Sequence, residues 1–243
     1  MDIVGPSADP ATGARALTEA EVEASIAAFV SSARRAETAG FDGVQIHGAH
    51  GYLIAAFLSP ELNQRSDDWG GSPENRSRFL FEVLHRIRAA CGPDFQIGVR
   101  ISPERFGLVL PEMIALAQQL LHDPALDYLD LSLWDFTKEP EDAGFAGHSL
   151  MSLFTSLDRG KSALGVAGGI KTGETAQQAL ALGADYVAIG KAAILSHDFP
   201  DQVRSNPAFT PPPLPVTPAY LRSQGISDNF VTYLRRQKNF VTE

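Results

Sequence analysis

Apolar positions Val22, Ile26, Phe29 and Ala33 recur at spacings of four, three and four, so residues 18–39 are expected to form a helix with one buried face. Thr18 with Glu21 three positions on reads as its start, and Gly40 as its stop. The period then changes. Val44 and Ile46 alternate with Gln45 and His47, which predicts a strand over 41–47. Ser72-Pro73 opens a second helix with Phe79, Val83 and Ile87 on one side, closed by Cys91-Gly92-Pro93. The alternation continues with strand 96–102, helix 111–122, strand 127–133, a loop over 134–150 and a short helix over 150–157. Strand 164–167, helix 173–182 and strand 185–190 follow. Residues 1–16 read as an extended lead-in and 48–72 as a long irregular connection. The stretch 198–218 reads as Pro-rich and irregular, and 219–237 as a helical tail interrupted near Gly225. One domain over 1–243 is expected, with its βα units in 17–197 and a tail over 198–243.

Strands alternating with helices through short connections imply a parallel sheet. Each expected strand has an apolar face: Val44/Ile46, Ile97/Val99/Ile101, Leu129/Leu131/Leu133, Leu164/Val166 and Val187/Ile189. The opposite faces carry Gln45/His47, Gln96/Gly98/Arg100, Asp130/Ser132, Gly165/Ala167 and Ala188/Gly190. Fully buried parallel strands are ordinarily apolar on both sides. Here the second face is small or polar on every strand, as if built to hold something. That favours a barrel interior over an open doubly wound sheet.

Charge and composition narrow the partners. The net charge of −9 and the lack of a dense Lys/Arg stretch argue against nucleic acid and anionic membranes. The single cysteine, Cys91, excludes internal disulfides. No stretch approaches a membrane span and no secretory signal is visible, so a cytoplasmic protein is expected.

The chemistry concentrates in His47-Gly48-Ala49-His50-Gly51-Tyr52, at the C-terminal end of the first expected strand. Ligands of parallel α/β folds bind at that end. Two loop histidines can simply make local hydrogen bonds. A His-x-x-His pair can also ligate a metal, but no further ligand cluster stands out. As a third possibility, the pair donates to a substrate oxygen while Tyr52 supplies a proton. Arg100 ends the second strand on the inward face, where it either stabilises an anionic group or pairs with Asp130. Gly168-Gly169 and Gly190-Lys191 end the last two strands. Barrels often hold phosphate there on backbone N–H groups, although glycine is common in such turns anyway. The polar stretch 63–72 is either a functional loop or a solvated one.

The string Phe41-Asp42-Gly43-Val44-Gln45-Ile46-His47-Gly48-Ala49-His50-Gly51-Tyr52-Leu53, with Phe57-Leu58-Ser59-Pro60, Asn63, Arg65, Asp67, Gly70-Gly71-Ser72, Glu74-Asn75-Arg76 and Arg78-Phe79, resembles the signature of the old yellow enzyme family. Weaker similarity runs from Val4 to about Asp198. These are FMN-dependent NAD(P)H oxidoreductases and ene-reductases on a TIM (β/α)8 barrel. The resemblance implies that His47 and His50 hold a substrate carbonyl, Tyr52 donates a proton and Arg100 lies beside the flavin. It also implies that Gly168, Gly169, Gly190 and Lys191 bind the FMN phosphate. The family usually has Arg at the position of Lys191, and Tyr at that of Trp69. The cysteines of its iron–sulfur branch are missing here.

The signature also sets a register. The family's His pair follows the fourth barrel strand, whereas only one helix and a lead-in precede it here. The expectation is therefore an incomplete barrel of five βα units, matching the fourth to eighth strands. Two open sheet edges would result, and these invite pairing with another chain. A homo-oligomer, or a complementing chain carrying the missing strands, is expected. Three functions are consistent with the sequence: reduction of an enone or enal C=C, a non-catalytic half-barrel that binds flavin or phosphate, and a metal-dependent lyase using His47 and His50.

Overall fold

The computed structural model describes residues 2–242. Two short strands, β1 (Val4–Gly5) and β2 (Arg15–Ala16), pair in the lead-in, and α1 (Glu19–Thr38) follows. Thr18 and Glu21 form the expected capping box: each side chain accepts the other's backbone N–H. Then come β3 (Gly43–Gly48), α2 (Leu53–Leu58), α3 (Pro73–Ala90), β4 (Gln96–Ile101), α4 (Leu110–His122) and β5 (Tyr128–Ser132). After them run α5 (Leu150–Thr155), β6 (Ala163–Ala167), α6 (Gly173–Ala181), β7 (Tyr186–Ala188) and α7 (Lys191–Leu195). The tail holds α8 (Phe199–Ser205), α9 (Pro218–Ser223) and α10 (Asp228–Leu234).

Strands β3 to β7 form one parallel sheet in sequence order, each joined to the next through at least one helix. Among the described residues β3 and β7 are its edges. The apolar faces read from the sequence point towards the helices. Ile97, Val99, Ile101, Leu129, Leu131, Leu164 and Val166 are fully buried in one core with Ile26, Phe79, Val83, Leu120 and Phe154. Burying such side chains stabilises by roughly 1.5–3 kcal/mol each, so the outer side of the sheet anchors the scaffold. The tail has a second, smaller core of Leu195, Val216, Leu221, Val231, Leu234 and Phe240.

Three expectations need correction. The stretch 48–72 is not wholly irregular, because Leu53–Leu58 is a helix whose Ile54, Ala55, Phe57 and Leu58 are buried. Its apolar run is too short and uniform to show a period, and burial rather than amphipathicity makes it helical. The rest of that stretch keeps several exposed residues but is pinned at a few points. Asn63 Nδ2 donates to the carbonyls of Phe57 and Trp69, and Arg76, itself buried, donates to those of Leu58 and Gly71. Second, Phe199–Ser205 in the Pro-rich region is helical, with Pro200 in its first turn, where the missing N–H costs nothing. Third, the inner sheet face is not uniformly small or polar. The rings of Tyr128 and Tyr186 lie across it, and a Cβ at Gly98 or Gly165 would fall 2.1 or 2.0 Å from the neighbouring tyrosine ring. Those glycines make room for tyrosines, not for a ligand.

Candidate active site

His47 is held by β3, and its lateral neighbours in the sheet are Arg100 on β4 and then Asp130 on β5. Beyond β3 the backbone enters the left-handed region twice, at His50 (φ 62°) and Gly51 (φ 75°). A Cβ at Gly51 would lie 2.9 Å from the Phe106 ring, so glycine is required there for space as well as for φ. The Ser102 hydroxyl secures the turn by accepting the His50 N–H at 3.1 Å. This reversal folds the chain back so that three rings meet. His47 and His50 have centroids 5.1 Å apart, and His47 and Tyr52 5.4 Å apart. Phe106 and Trp134, from the loops after β4 and β5, each stand 6.5 Å from His50. Tyr52 is 64% exposed and Trp134 58%, so the group opens to solvent.

Behind the histidines lies a polar row. Arg100 Nη2 donates to Ser132 Oγ at 3.2 Å, and the same oxygen is 2.7 Å from His50 Nε2. Arg100 Nη1 is 3.6 Å from Asp130 Oδ2, which also accepts from Gln45 Nε2 at 3.2 Å. Arg100 thus pairs with Asp130 and also lines the neighbouring cavity. Burial, reinforced by the Arg100 cation, depresses the pKa of both His47 and His50. Both shifts favour the neutral imidazole, which has one N–H donor and one acceptor. Burial pushes the Asp130 carboxyl up in spite of Arg100. Three atoms of this row are buried with no hydrogen-bond partner: Arg100 Nε, Asp130 Oδ1 and Tyr186 Oη.

Next to this row is a cavity of about 500 Å³ lined by Arg100, Trp134, the turn at Gly168-Gly169, the turn at Gly190-Lys191 and Lys171. Gly168 (φ 139°) lies so close to Trp134 that a Cβ would meet its backbone at 2.8 Å. The N–H groups of Gly169, Ile170 and Gly190 make none of the turn hydrogen bonds. The N-terminus of α6 behaves differently. Thr172 and Thr175 cap each other, and Gly173 N–H bonds to the Phe209 carbonyl. Anion-binding capacity therefore rests on the two turns and two lysines rather than on that helix end.

These features fit FMN. An unpartnered buried guanidinium nitrogen, free turn N–H groups and two exposed cations surround one cavity. They match what an anionic phosphate and an electron-poor ring require. Arg100 would face the ring, and Gly168, Gly169, Gly190, Lys191 and Lys171 the phosphate. Sequence reasoning missed Lys171, Trp134 and Phe106. Ser132 was visible only as an inward position, and nothing in the sequence marked Phe106. Among the described residues no group of three or more His, Cys, Asp or Glu is placed to hold a metal.

Residues 3–208 match the model of the NADH:flavin oxidoreductase / NADH oxidase family. A probable NADH-dependent flavin oxidoreductase, YqiG, of Bacillus subtilis (strain 168) is 38% identical over 214 residues, covering 84% of this chain and 57% of the relative. NADH oxidase of Thermoanaerobacter brockii is 35% identical over 216 residues, covering 83% of this chain and 33% of that one. The structure of morphinone reductase in complex with tetrahydroNAD superposes with a TM-score of 0.69 at 30% identity, covering 91% of this chain and 63% of that one. The old yellow enzyme homologue of Zymomonas mobilis gives 0.70 at 32% identity, covering 86% and 63%. The chain thus spans less than two thirds of the length of each of these relatives. By sequence and by fold, the chain belongs to the NADH:flavin oxidoreductase / NADH oxidase family, the family of the old yellow enzymes.

Proposed function

We propose that this chain carries the substrate half and the phosphate turns of an FMN-dependent NAD(P)H oxidoreductase that reduces the C=C bond of α,β-unsaturated carbonyl compounds. The observation that carries the reading is the meeting of two neutral imidazoles and an exposed phenol beside the cavity of Arg100 and the two glycine turns. Bound FMN, reduced by NAD(P)H, would supply the hydride for the β-carbon of the substrate. His47 and His50 each give an N–H to the substrate carbonyl oxygen and stabilise the charge that grows there. Tyr52 gives its phenolic proton to the α-carbon, and its exposure lets solvent restore that proton. Trp134 and Phe106 wall the mouth with aromatic surface. A cytoplasmic setting, where NAD(P)H is supplied, suits this chemistry.

The open edges β3 and β7 favour one addition. The five βα units are part of a (β/α)8 barrel, and strands pairing with both edges complete it. Light scattering after size exclusion tests this: a well-folded, soluble monomer of 26.1 kDa would count against it. The chemical test is a yellow protein that NADPH bleaches and a 2-enone re-oxidises. Flavin retained without turnover would instead support a flavin-binding half-barrel.

A further inference from the structure

Ser132 Oγ stands between the two halves of the site. It is buried, lies 3.2 Å from Arg100 Nη2 and 2.7 Å from His50 Nε2, and has no other hydrogen-bond partner among the described residues. A guanidinium can only donate, so the serine oxygen accepts from Arg100. The serine hydroxyl has one proton to place. If His50 Nε2 also donated to Oγ, the hydroxyl proton would be left without an acceptor among the described residues. One arrangement gives both the Arg100 donor and the serine proton a partner. Arg100 donates to Ser132, Ser132 donates to His50 Nε2, and the imidazole keeps its proton on Nδ1. Among the described residues His50 Nδ1 makes no hydrogen bond, so its N–H is free for a ligand.

We infer that Ser132 is a positioning residue that fixes the tautomer of His50, making Nδ1–H the donor offered to the substrate and tying that choice to Arg100. The polarity of the relay runs one way, because arginine cannot accept a hydrogen bond. Burial, and then the Arg100 cation, lower the His50 pKa and so disfavour the doubly protonated state, in which the tautomer would lose its meaning. Ser102 acts beside it by holding the His50 backbone in its left-handed conformation, so that the ring reaches Ser132. Ring orientation and proton position are thus set by two different serines.

The inference rests on the proposed role of His50 but is tested without flavin, substrate or turnover. Long-range ¹H–¹⁵N spectra of the histidine-labelled chain, recorded above the imidazole titration range, distinguish Nδ1–H from Nε2–H rings. His50→Gln assigns the signal. The expected result is an Nδ1–H pattern for His50, lost in Ser132→Ala and retained in Ser132→Thr, which keeps the hydroxyl. An Nε2–H pattern in the parent chain, or an unchanged pattern in Ser132→Ala, would overturn the inference. Should Ser132→Ala fail to fold, the parent and Ser132→Thr spectra decide. Lack of enone turnover would leave the tautomer result standing and would count only against the proposed reaction.

Discussion

The group around His50 is held from several directions, whereas the cavity of the glycine turns is lined by groups that are still free. His50 takes a bond from Ser132, gives its N–H to Ser102 and is flanked by the rings of His47, Phe106 and Trp134. Arg100 Nε is buried and unpaired, the N–H groups of Gly169, Ile170 and Gly190 are free of turn bonds, and Lys171 and Lys191 form no ion pair among the described residues. On the proposed function, the substrate side holds small donors in fixed geometry before a ligand arrives, because preorganised dipoles are what stabilise developing charge. On the same proposal, the cofactor side leaves donors for an anion to satisfy. An unpaired buried polar atom is a cost in a scaffold but a vacancy in a binding site.

Tyr52→Phe separates the two halves with the largest effect. In the assembled enzyme, enone turnover is expected to fall about 10²–10⁴-fold, the usual contribution of a positioned proton donor. Flavin binding, followed by fluorescence quenching, should stay unchanged. If flavin affinity falls with turnover, the two halves are not separable in this way.

Gly168→Ala attacks the other side. The added methyl would meet the Trp134 backbone at 2.8 Å, and φ of 139° is foreign to an L-residue. Strain of roughly 1–3 kcal/mol is expected. It should appear as a lower urea midpoint, with FMN affinity reduced about tenfold or more. Stability and affinity both unchanged would show that the close approach of Gly168 to Trp134 carries no weight.

The same contrast governs what could be read in the sequence. The scaffold was legible because its signals are local: Thr18 with Glu21, Ser72 with Pro73, and alternating Val, Ile and Leu. The residues proposed to meet the substrate could be read as a group because His47, His50 and Tyr52 fall within one short stretch. Their surroundings were less so, since Ser102 and Phe106 lie beyond the end of β4, and Ser132 and Trp134 at the end of β5 and in the loop after it, far from that stretch in sequence. Tyr128 and Tyr186 misled for a related reason. Each occupies the space that a glycine on the adjacent strand leaves open, and that pairing exists only once the register does. Lys171 needed three dimensions too, because Lys171 and Lys191 lie in consecutive turns that meet only at the cavity.

Acid provides a milder way to blur the two halves. The pKa values of His47 and His50 are depressed in the folded chain, by burial first and Arg100 second. The unfolded chain therefore takes up protons near the usual imidazole value of about 6.5 while the folded chain does not. Their contribution to stability is present above that value and is lost as pH falls through the folded pKa. Urea midpoints measured from neutral to mildly acidic pH should fall, and His50→Gln should make that fall shallower. An equal slope in parent and variant would mean that His50 titrates in the folded chain as it does unfolded.

The smallest expected effect concerns Lys191, and it bears on the cofactor side alone. Lys191 and Lys171 line one cavity with the two glycine turns, and neither is tied to a carboxylate. A lysine meets a phosphate as a point charge, whereas an arginine can bond it through two parallel N–H groups. Lys191→Arg is therefore expected to tighten FMN binding by about 1 kcal/mol, or roughly fivefold, as read by quenching of flavin fluorescence. Inorganic phosphate should compete for the isolated turns. Added salt should weaken both complexes, since the lysines are exposed and their fields are screened. His50 is reached from this corner only through Arg100 and Ser132, so its tautomer should not change in Lys191→Arg. Tighter flavin with an unaltered His50 would show that the cofactor side can be improved without disturbing the donors opposite. Unchanged affinity would move the phosphate away from the Gly190 turn and leave Gly168, Gly169 and Lys171 to hold it.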